Sequence, residues 1–363
     1  MKIKETIVEV NLKNLTHNLN FLKSKLNSKT LMMAVVKAFS YGADSLIIAK
    51  ELEKQEIDYL AVAYTNEGLM LRKKGIDAPI LVLHPQIDDF NKIIEYNLEP
   101  SIYSFRILNA FMSCSKFKNS YPFQIKFNTG LNRLGFHENE INNLISCLNG
   151  LIPTYIFSHL GASEDKNEDE FSNDQIKRFA SLAKDFQNKI GVEIKRHILN
   201  TSGILNFSKY QYEMVRTGIG LYGFGNDPKY KNNLKPVISL KTIISQIHKI
   251  LKGDSVGYNK GFIAKDDVTI ATLPIGHADG ISRQYGNGNG SVMVNGKFAP
   301  IIGNVCMDML MINISKIYCK EGDQVIIFDD KNLSADDFTK SIGTIPYEIL
   351  ASLSKRIKRV VIS

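Results

Sequence analysis

The sequence has no apolar run close to the roughly 20 residues that a helix needs to span a bilayer. Its first residues, MKIKETIVEVNL, also lack the apolar core of a signal peptide. No biased or repetitive tract interrupts the 363 residues, of which 44% are hydrophobic and 23% charged. We therefore expect a globular protein that works in the cytoplasm and does not enter a membrane.

Cysteine is scarce and scattered along the chain. The four cysteines are Cys114, Cys147, Cys306 and Cys319, and no two of them form a C-x-x-C pair. This spacing indicates neither a disulfide framework nor a zinc site. We expect free thiols and no bound metal ion.

Acidic and basic residues are mixed along most of the chain, although the formal net charge is +8 and short stretches such as SKRIKRV are basic. Acidic and basic residues alternate in KELEKQEID and SEDKNEDEF, which is typical of a solvated surface. We therefore expect no nucleic-acid partner. A small anionic ligand would need only a few of the positive charges.

Short apolar runs alternate with helical patterns through the first two thirds of the chain. The predicted strands are 31–37, 58–63, 78–84, 98–104, 122–128, 153–160, 193–200 and 212–217. Eight strand–helix units in about 220 residues match a (β/α)8 TIM-like barrel. A doubly wound open sheet is the competing α/β architecture.

The pattern changes after the segment NDPKYKNNLKP. Later runs such as VISLKTIISQI, DVTIATLPI and GSVMVNGKFAPIIG are short, and Gly, Asn and Asp interrupt them. This pattern indicates a separate, mostly-β domain. We predict a barrel domain over residues 1–235 and a C-terminal β domain over 236–363, with residues 1–11 available to pair with the second domain.

Polar residues stand at the ends of several predicted barrel strands. In a parallel barrel the active face lies at the carboxyl ends of the strands and in the loops that follow them. The residues at those places are Lys37, Arg133, His159, Asn200, Thr201 and Arg216. The sequence therefore predicts that side chains from five strands converge on one site.

Three of the candidate positions each have two interpretations. Lys37 either extends from its strand to solvent or is an amine held away from water, with a lowered pKa, that can form a Schiff base. In TGIG, the amides of Gly218 and Ile219 either approach an anion closely or form a plain turn. Thr201 either adds a hydroxyl to a phosphate site or caps the helix that begins SGILNF.

The remaining candidates are also ambiguous when taken singly. A histidine inside an apolar strand, such as His159, is commonly a core residue. Arg133 and Arg216 carry charges that are costly near a core unless paired, and the planar fork of Arg133 suits a carboxylate. Tyr258 in VGYNKGF and Met307 in GNVCMDM could each serve a turn or a core.

Taken together, eight segments resemble alanine racemase, a pyridoxal-phosphate enzyme of the fold-type III group. They occur in the family's order and at its spacing: AVVKAFSYG, TGLNRLGF, SHL, HILNTSG, MVRTGIGLYG, VGYNKGF, LPIGHADG and IIGNVCMDM. The resemblance covers nearly the whole chain. It implies a homodimer with shared active sites that interconverts L-alanine and D-alanine and supplies D-alanine for peptidoglycan.

The resemblance also implies a role for each matching residue. Lys37 would hold pyridoxal 5'-phosphate and act as one base, and Tyr258 of the second subunit would be the opposing base. The other cofactor contacts would be Tyr41, His159, Asn200, Thr201, Arg216, Gly218 and Ile219. Arg133 and Met307 would contact the substrate, and Lys126 matches a position that is often carbamylated to orient that arginine.

Departures from the family pattern fall on Phe39, Ser40, Thr201, His277 and Lys355. The lysine–tyrosine spacing is kept, so the same roles are expected. A broad-specificity or serine-type racemase of the same fold is the main alternative. A non-catalytic pyridoxal-phosphate-binding protein is another, although the short proteins of that kind lack a β domain such as the one that carries Tyr258.

Overall fold

The computed structural model describes residues 3–118, 120–225, 227–230 and 232–362. The chain forms two compact units. One comprises Thr16–Ser40 and Ser45–Leu234. The other combines the segment that ends at Leu15, the short stretch Tyr41–Asp44 and the segment that begins at Lys235. Strand β1 (Ile7–Asn11) lies in this second unit.

The first unit contains a nearly closed barrel of parallel strands, which confirms the predicted fold class. Its strands are β2 (Leu31–Val35), β3 (Tyr59–Val62), β4 (Ile80–Val82), β5 (Glu99–Ile102), β6 (Gln124–Lys126), β7 (Tyr155–Phe157), β8 (Lys195–His197) and β9 (Met214–Thr217). The order is β8-β7-β6-β5-β4-β3-β2-β9. Where the two end strands meet, the N–H of Arg216 donates to the carbonyl oxygen of Leu199 at 2.9 Å.

Every barrel strand lies within its predicted run but is shorter than predicted. The predicted run 31–37, for example, becomes β2, which ends at Val35. Lys37, His159 and Asn200 therefore follow their strands instead of ending them, and they lie on the loops of the active face.

Helices alternate with the barrel strands. Leu12–Lys23 precedes β2, and the helices that follow β2 to β8 in turn are Ser45–Lys54, Thr65–Lys73, Phe90–Glu95, Phe105–Ser113, Ile141–Leu148, Asp169–Ile190 and Thr201–Asn206. This alternation provides the crossover connections that parallel strands require. Buried residues Met33, Ala61, Leu81, Tyr155 and Met214 form one apolar cluster between the strands.

The longest helix, Asp169–Ile190, shows why the sequence forms these elements. Its buried residues recur at three- and four-residue spacing: Ser172, Gln175, Ile176, Phe179, Leu182, Ala183 and Phe186. Asp169 and Glu170 lie in its first turn, where negative charge favours the helix dipole. Gly191 ends it with a φ of 76°, a conformation that suits glycine.

The second unit is mostly β, as predicted. Its strands are β1 and then β10 (Ile238–Ile243), β11 (Gln246–Ile250), β12 (Ser255–Val256), β13 (Phe262–Ile263), β14 (Val268–Leu273), β15 (Ser291–Val294), β16 (Lys297–Ile302), β17 (Leu310–Asn313), β18 (Gln324–Phe328) and β19 (Lys358–Ile362). Nine of them form one sheet in the order β11-β14-β17-β16-β15-β18-β10-β1-β19, and β12 pairs with β13. Two short helices, Ala335–Lys340 and Pro346–Ser352, belong to the same unit.

Strand β1 links the start of the chain to this sheet. It pairs antiparallel with β10 and parallel with β19. In the part of the chain that the structure describes, no helix combines the length and the apolar character that crossing a membrane requires.

Candidate active site

Lys37 begins a single left-handed turn just after β2. The φ angles of Ala38, Phe39 and Ser40 are 54°, 55° and 53°. This conformation costs an L-residue roughly 1–2 kcal/mol, so other contacts must hold it. Within the turn, the N–H and the hydroxyl of Ser40 donate to the carbonyl oxygen of Val36 at 3.1 and 3.3 Å.

The carboxylate of Glu67 connects this turn to its neighbours. Its Oε1 accepts from the N–H of Ala38 at 2.7 Å, and its Oε2 accepts from the N–H groups of Ala63 and Tyr64 at 2.7 and 3.2 Å. Tyr64 caps helix Thr65–Lys73. One side chain therefore joins the turn after β2 to the start of the helix that follows β3. Sequence reasoning missed it, although an acidic third residue of a helix is a known capping signal.

Positive charges crowd around the Lys37 amine. Burial and the charge of Arg133 lower the pKa of Lys37, and the Glu67 carboxylate opposes this shift. Burial, together with the charges of Arg133, Arg216 and Lys37, lowers the pKa of Lys126 to about 7. Since each cation makes the others harder to protonate, the group favours an anionic ligand.

Arg133 lies on an exposed loop after β6. The loop is closed at its base, where the N–H of Phe136 donates to the carbonyl oxygen of Lys126 at 2.9 Å. Gly135 has a φ of 124°, and a Cβ there would lie 2.6 Å from the carbonyl carbon of Phe127, so only glycine fits. Among the described residues no carboxylate pairs with the Arg133 guanidinium, which leaves its fork for a ligand.

Arg216 is buried inside the barrel on β9 and has several acceptors. Its Nη2 donates to the carbonyl oxygens of Ser158 and Ile198 at 2.7 and 3.0 Å, and lies 3.2 Å from Nδ1 of His159. Its Nη1 donates to Nδ1 of His197. The guanidinium is thus held in place while its Nε–H has no acceptor among the described residues.

Both histidines near Arg216 are neutral. Burial and the charge of Arg216 lower the pKa of His197 well below its usual range. Burial, followed by the charges of Arg216 and Arg133, does the same for His159. The His197 ring stacks on Phe157 with its centroid 4.7 Å away, so its plane is fixed. Sequence reasoning used the segment HILNTSG but gave His197 no role. The signal that could have identified it is an ionisable residue within a barrel strand.

Thr201 and the glycines of TGIG form a buried polar cradle. The hydroxyl of Thr201 accepts from the N–H groups of Gly218 and Gly220, both at 3.3 Å. A Cβ at Gly220 would lie 2.5 Å from Cγ2 of Thr201, so glycine is required there. The helix cap is Asn200, whose Oδ1 accepts from a backbone N–H three residues on at 2.8 Å. The interpretation of Thr201 as the cap is therefore wrong.

Tyr258 and Met307 lie in the mostly-β unit and are exposed, by 71% and 59%. The carbonyl oxygen of Tyr258 accepts from Nδ2 of Asn304 at 2.8 Å, and the N–H of Ala278 donates to the carbonyl oxygen of Met307 at 3.0 Å. The segments VGYNKGF, GHADG and GNVCMDM therefore pack together within this unit. Residues of VGYNKGF and GNVCMDM, among them Tyr258 and Met307, help to line a cavity of about 580 Å³.

Tyr41 is grouped with this second unit as well. It is buried, and its ring centroid lies 6.1 Å from that of Tyr347. Lys355, one of the departures from the family pattern, is exposed.

The structure brings most of the predicted barrel residues together. Those in the barrel unit are Lys37, Lys126, Arg133, His159, Asn200, Thr201, Arg216, Gly218 and Ile219. Those in the second unit are Tyr41, Tyr258 and Met307. A half-buried lysine among cations on the active face of a parallel barrel defines a barrel enzyme with an anion-binding site.

Comparison with known proteins gives the family. Models of the alanine racemase N-terminal domain and C-terminal domain match residues 10–226 and 237–361. Alanine racemase 2 of Caldanaerobacter subterraneus subsp. tengcongensis is 36% identical, over 99% of this chain and 96% of that protein. This chain belongs to the alanine racemase family.

Solved structures agree with this assignment. The alanine racemase of Clostridium difficile 630 superposes with a TM-score of 0.90 at 31% identity, covering 100% of this chain and 96% of that one. The alanine racemase of Bartonella henselae, whose structure contains covalently bound pyridoxal phosphate, superposes with a TM-score of 0.89 at 28% identity and covers 99% of each chain.

Proposed function

We propose that this protein is a pyridoxal-5'-phosphate-dependent racemase that interconverts L-alanine and D-alanine. The observation that carries the proposal is the half-buried Lys37 amine with a lowered pKa, held on a left-handed turn among Lys126, Arg133 and Arg216. We place the enzyme in the cytoplasm, where its D-alanine would supply peptidoglycan synthesis. Its proposed domains are residues 1–235 and 236–363.

The residues present fit the proposed cofactor. Lys37 would hold it covalently, and the cradle of Thr201, Gly218 and Ile219, together with Tyr41 and Asn200, would bind its phosphate. His159 would pack beside the ring, and the Nε of Arg216, which has no acceptor among the described residues, would donate to the ring nitrogen. When bound, pyridoxal phosphate supplies an electron sink for the negative charge left after the α-proton of an amino acid is removed.

Arg133 and Lys126 suit the substrate. The free fork of Arg133 would bind the two oxygens of the alanine carboxylate, with Met307 of a second copy nearby. A carbamate on Lys126 would add a negative charge beside Arg133 and orient it. This modification needs a neutral amine, and the lowered pKa of Lys126 provides one near neutral pH.

Two bases on opposite faces would move the α-proton. The Lys37 amine, with its lowered pKa, can take or return a proton at its Nζ on one face. The Tyr258 hydroxyl of a second copy would do the same on the other face. We propose a homodimer with shared active sites, in which the exposed Tyr258 of one chain serves the Lys37 of the other.

A coupled assay for D-alanine, run with and without added pyridoxal phosphate, tests the proposal. L-Alanine should be converted, L-serine and L-lysine should be poor substrates, and removal of the cofactor should abolish the reaction. Rapid conversion of L-serine would favour the broad-specificity or serine-type alternative. A cofactor-loaded protein that forms no D-amino acid would contradict the racemase proposal.

A further inference from the structure

A line of buried polar side chains crosses the barrel interior from Arg216 to Glu99. Nη1 of Arg216 donates to Nδ1 of His197, and Nε2 of His197 lies 2.9 Å from Oε1 of Gln124. Nε2 of Gln124 then donates to Oε2 of Glu99 at 2.9 Å, and the hydroxyl of Tyr59 donates to its Oε1 at 3.2 Å. We call Glu99, Gln124 and His197 the barrel relay.

The barrel relay and Arg216 are shielded from water. The exposed fraction is 9% for Glu99, 0% for Gln124 and His197, and 4% for Arg216. They come from β5, β6, β8 and β9, so the relay connects separate strands of the wall. A buried polar group without a partner is costly, so each link matters to the next.

Hydrogen-bond chemistry gives the relay one direction. A guanidinium only donates, so Nδ1 of His197 must accept, and the neutral ring carries its proton on Nε2. That N–H must reach an acceptor, which turns the oxygen of the Gln124 amide toward His197 and its NH2 toward Glu99. The carboxylate of Glu99 can only accept while it is ionised, and it therefore ends the chain.

We propose that Glu99 and Gln124 are positioning residues for the reaction inferred above, holding His197 as the Nε2–H tautomer so that Arg216 stays oriented to donate from its Nε. This proposal depends on the proposed function in one respect, the identity of the cofactor to which Arg216 donates. The order of donors and acceptors is a property of the barrel itself.

The Arg216 end of the relay explains why the tautomer matters. With the proton on Nδ1, His197 would present an N–H to the Arg216 N–H, and the two donors would repel each other. The guanidinium would then rotate away from its fixed position, although Ser158 and Ile198 still accept from Nη2. Its Nε would no longer be aimed by the barrel, and its bond to the ring nitrogen would weaken.

The main test variant is Gln124→Met, which keeps the shape of the side chain but removes both hydrogen bonds. Nitrogen NMR of histidine-labelled protein without cofactor reports the His197 tautomer. Fluorescence titration gives the Kd for pyridoxal phosphate, and turnover gives the ratio of transamination to racemisation. We expect Gln124→Met to lose the single Nε2–H form, and to raise the Kd and the transamination ratio about tenfold, the effect of one buried hydrogen bond.

Two further variants keep the proposal falsifiable. Ser101→Ala changes another buried side chain on β5, outside the relay, and should leave all three readouts unchanged. Glu99→Gln keeps the volume, removes the charge and leaves one acceptor oxygen in place of two, so it should raise the Kd about threefold through the weaker relay. If Gln124→Met does not fold, Glu99→Gln decides.

The outcomes separate clearly. A folded Gln124→Met protein with the wild-type tautomer, Kd and transamination ratio would overturn the proposal, and so would an equal change in Ser101→Ala. If Gln124→Met cannot be used, a wild-type Kd in Glu99→Gln would overturn it. Absence of D-alanine formation by the wild-type protein would refute the proposed function alone, because the tautomer and the Kd are read without turnover.

Discussion

Lys37 is placed by the residues that follow it. Ala38, Phe39 and Ser40 all have positive φ, and none of them is glycine. The turn therefore stores backbone strain, and hydrogen bonds to Val36 and Glu67 hold it in place. Ser40 thus has a structural reason in this chain, since its buried hydroxyl donates inside the turn.

Replacing Ala38 by glycine tests the strain directly. Ala38 is exposed with a φ of 54°, so Ala38→Gly should relieve strain and stabilise the protein by up to about 1 kcal/mol after the entropy of the unfolded chain is subtracted. The matched control is Ala180→Gly, at an exposed position in the middle of helix Asp169–Ile190, which should destabilise by about 1 kcal/mol. The urea midpoints of unfolding give both changes in stability. If Ala38→Gly destabilised the protein as much as Ala180→Gly, the turn would not be strained.

The Lys126 amine should take up carbon dioxide in a pH-dependent way. Its pKa is lowered to about 7, and only the neutral amine reacts with carbon dioxide. The carbamate should therefore increase as the pH rises through about 7. Carbon NMR with isotopically labelled bicarbonate measures it, and Lys126→Arg is the control. A carbamate signal that persists in Lys126→Arg, or that does not increase with pH, would count against this assignment.

At the scale of single elements, Glu67 is the clearest connection between fold and site. It caps the start of helix Thr65–Lys73 and also binds the N–H of Ala38 in the left-handed turn. The helix and the Lys37 amine are therefore linked through one carboxylate.

Changing Glu67 to glutamine should affect both stability and the amine. The amide has only one oxygen, so it cannot accept from Ala38 and Ala63 at once. We therefore expect the free energy of unfolding to fall by about 1–3 kcal/mol. Loss of the negative charge should also lower the pKa of Lys37 further, because Glu67 raises it. The pH dependence of pyridoxal-phosphate capture by the protein measures this second effect.

Glu53 supplies the control for Glu67. Its Oε1 accepts from the N–H groups of Asp77 and Ala78 at 2.6 and 2.8 Å, and it is not among the groups that shift the pKa of Lys37. Glu53→Gln removes the charge but keeps one oxygen that can accept both bonds, so it should reduce stability less than Glu67→Gln and leave the pH profile of Lys37 unchanged. Equal shifts of that profile in both variants would mean that Glu67 acts only through the fold.

Sequence reasoning reached the elements but not their local geometry. The eight barrel runs were found because apolar and helical periods alternate, and the barrel residues of the site were found because polar groups follow strand ends. The left-handed turn at Lys37 could not be predicted, since Ala38, Phe39 and Ser40 are not residues that favour positive φ. Gln124 and Glu99 were also missed, because their partners come from strands far away in sequence and only closure of the barrel brings them together.

At the scale of the whole molecule, the proposed bases belong to different compact units. Lys37 lies in the barrel unit, and Tyr258 lies exposed in the mostly-β unit. A dimer that shares its sites would use a Tyr258 from each chain to complete the barrel of the other.

Mixing two inactive variants tests shared sites. Lys37→Ala and Tyr258→Phe should each be inactive as homodimers, and the Tyr258→Phe protein should keep its cofactor spectrum. After dissociation and random reassociation, half of the dimers carry one intact site, so about one quarter of the wild-type rate should return. No recovery, with exchange of subunits verified by mass, would contradict shared sites.

The identity of the cofactor-bearing lysine can be measured most directly by borohydride reduction of the purified protein, followed by peptide mapping. Reduction should remove the absorption of the bound cofactor and leave a stable pyridoxyl label on the peptide that contains Lys37. Lys37→Arg should carry no label. A label on another lysine, or absorption that reduction does not change, would contradict the role proposed for Lys37.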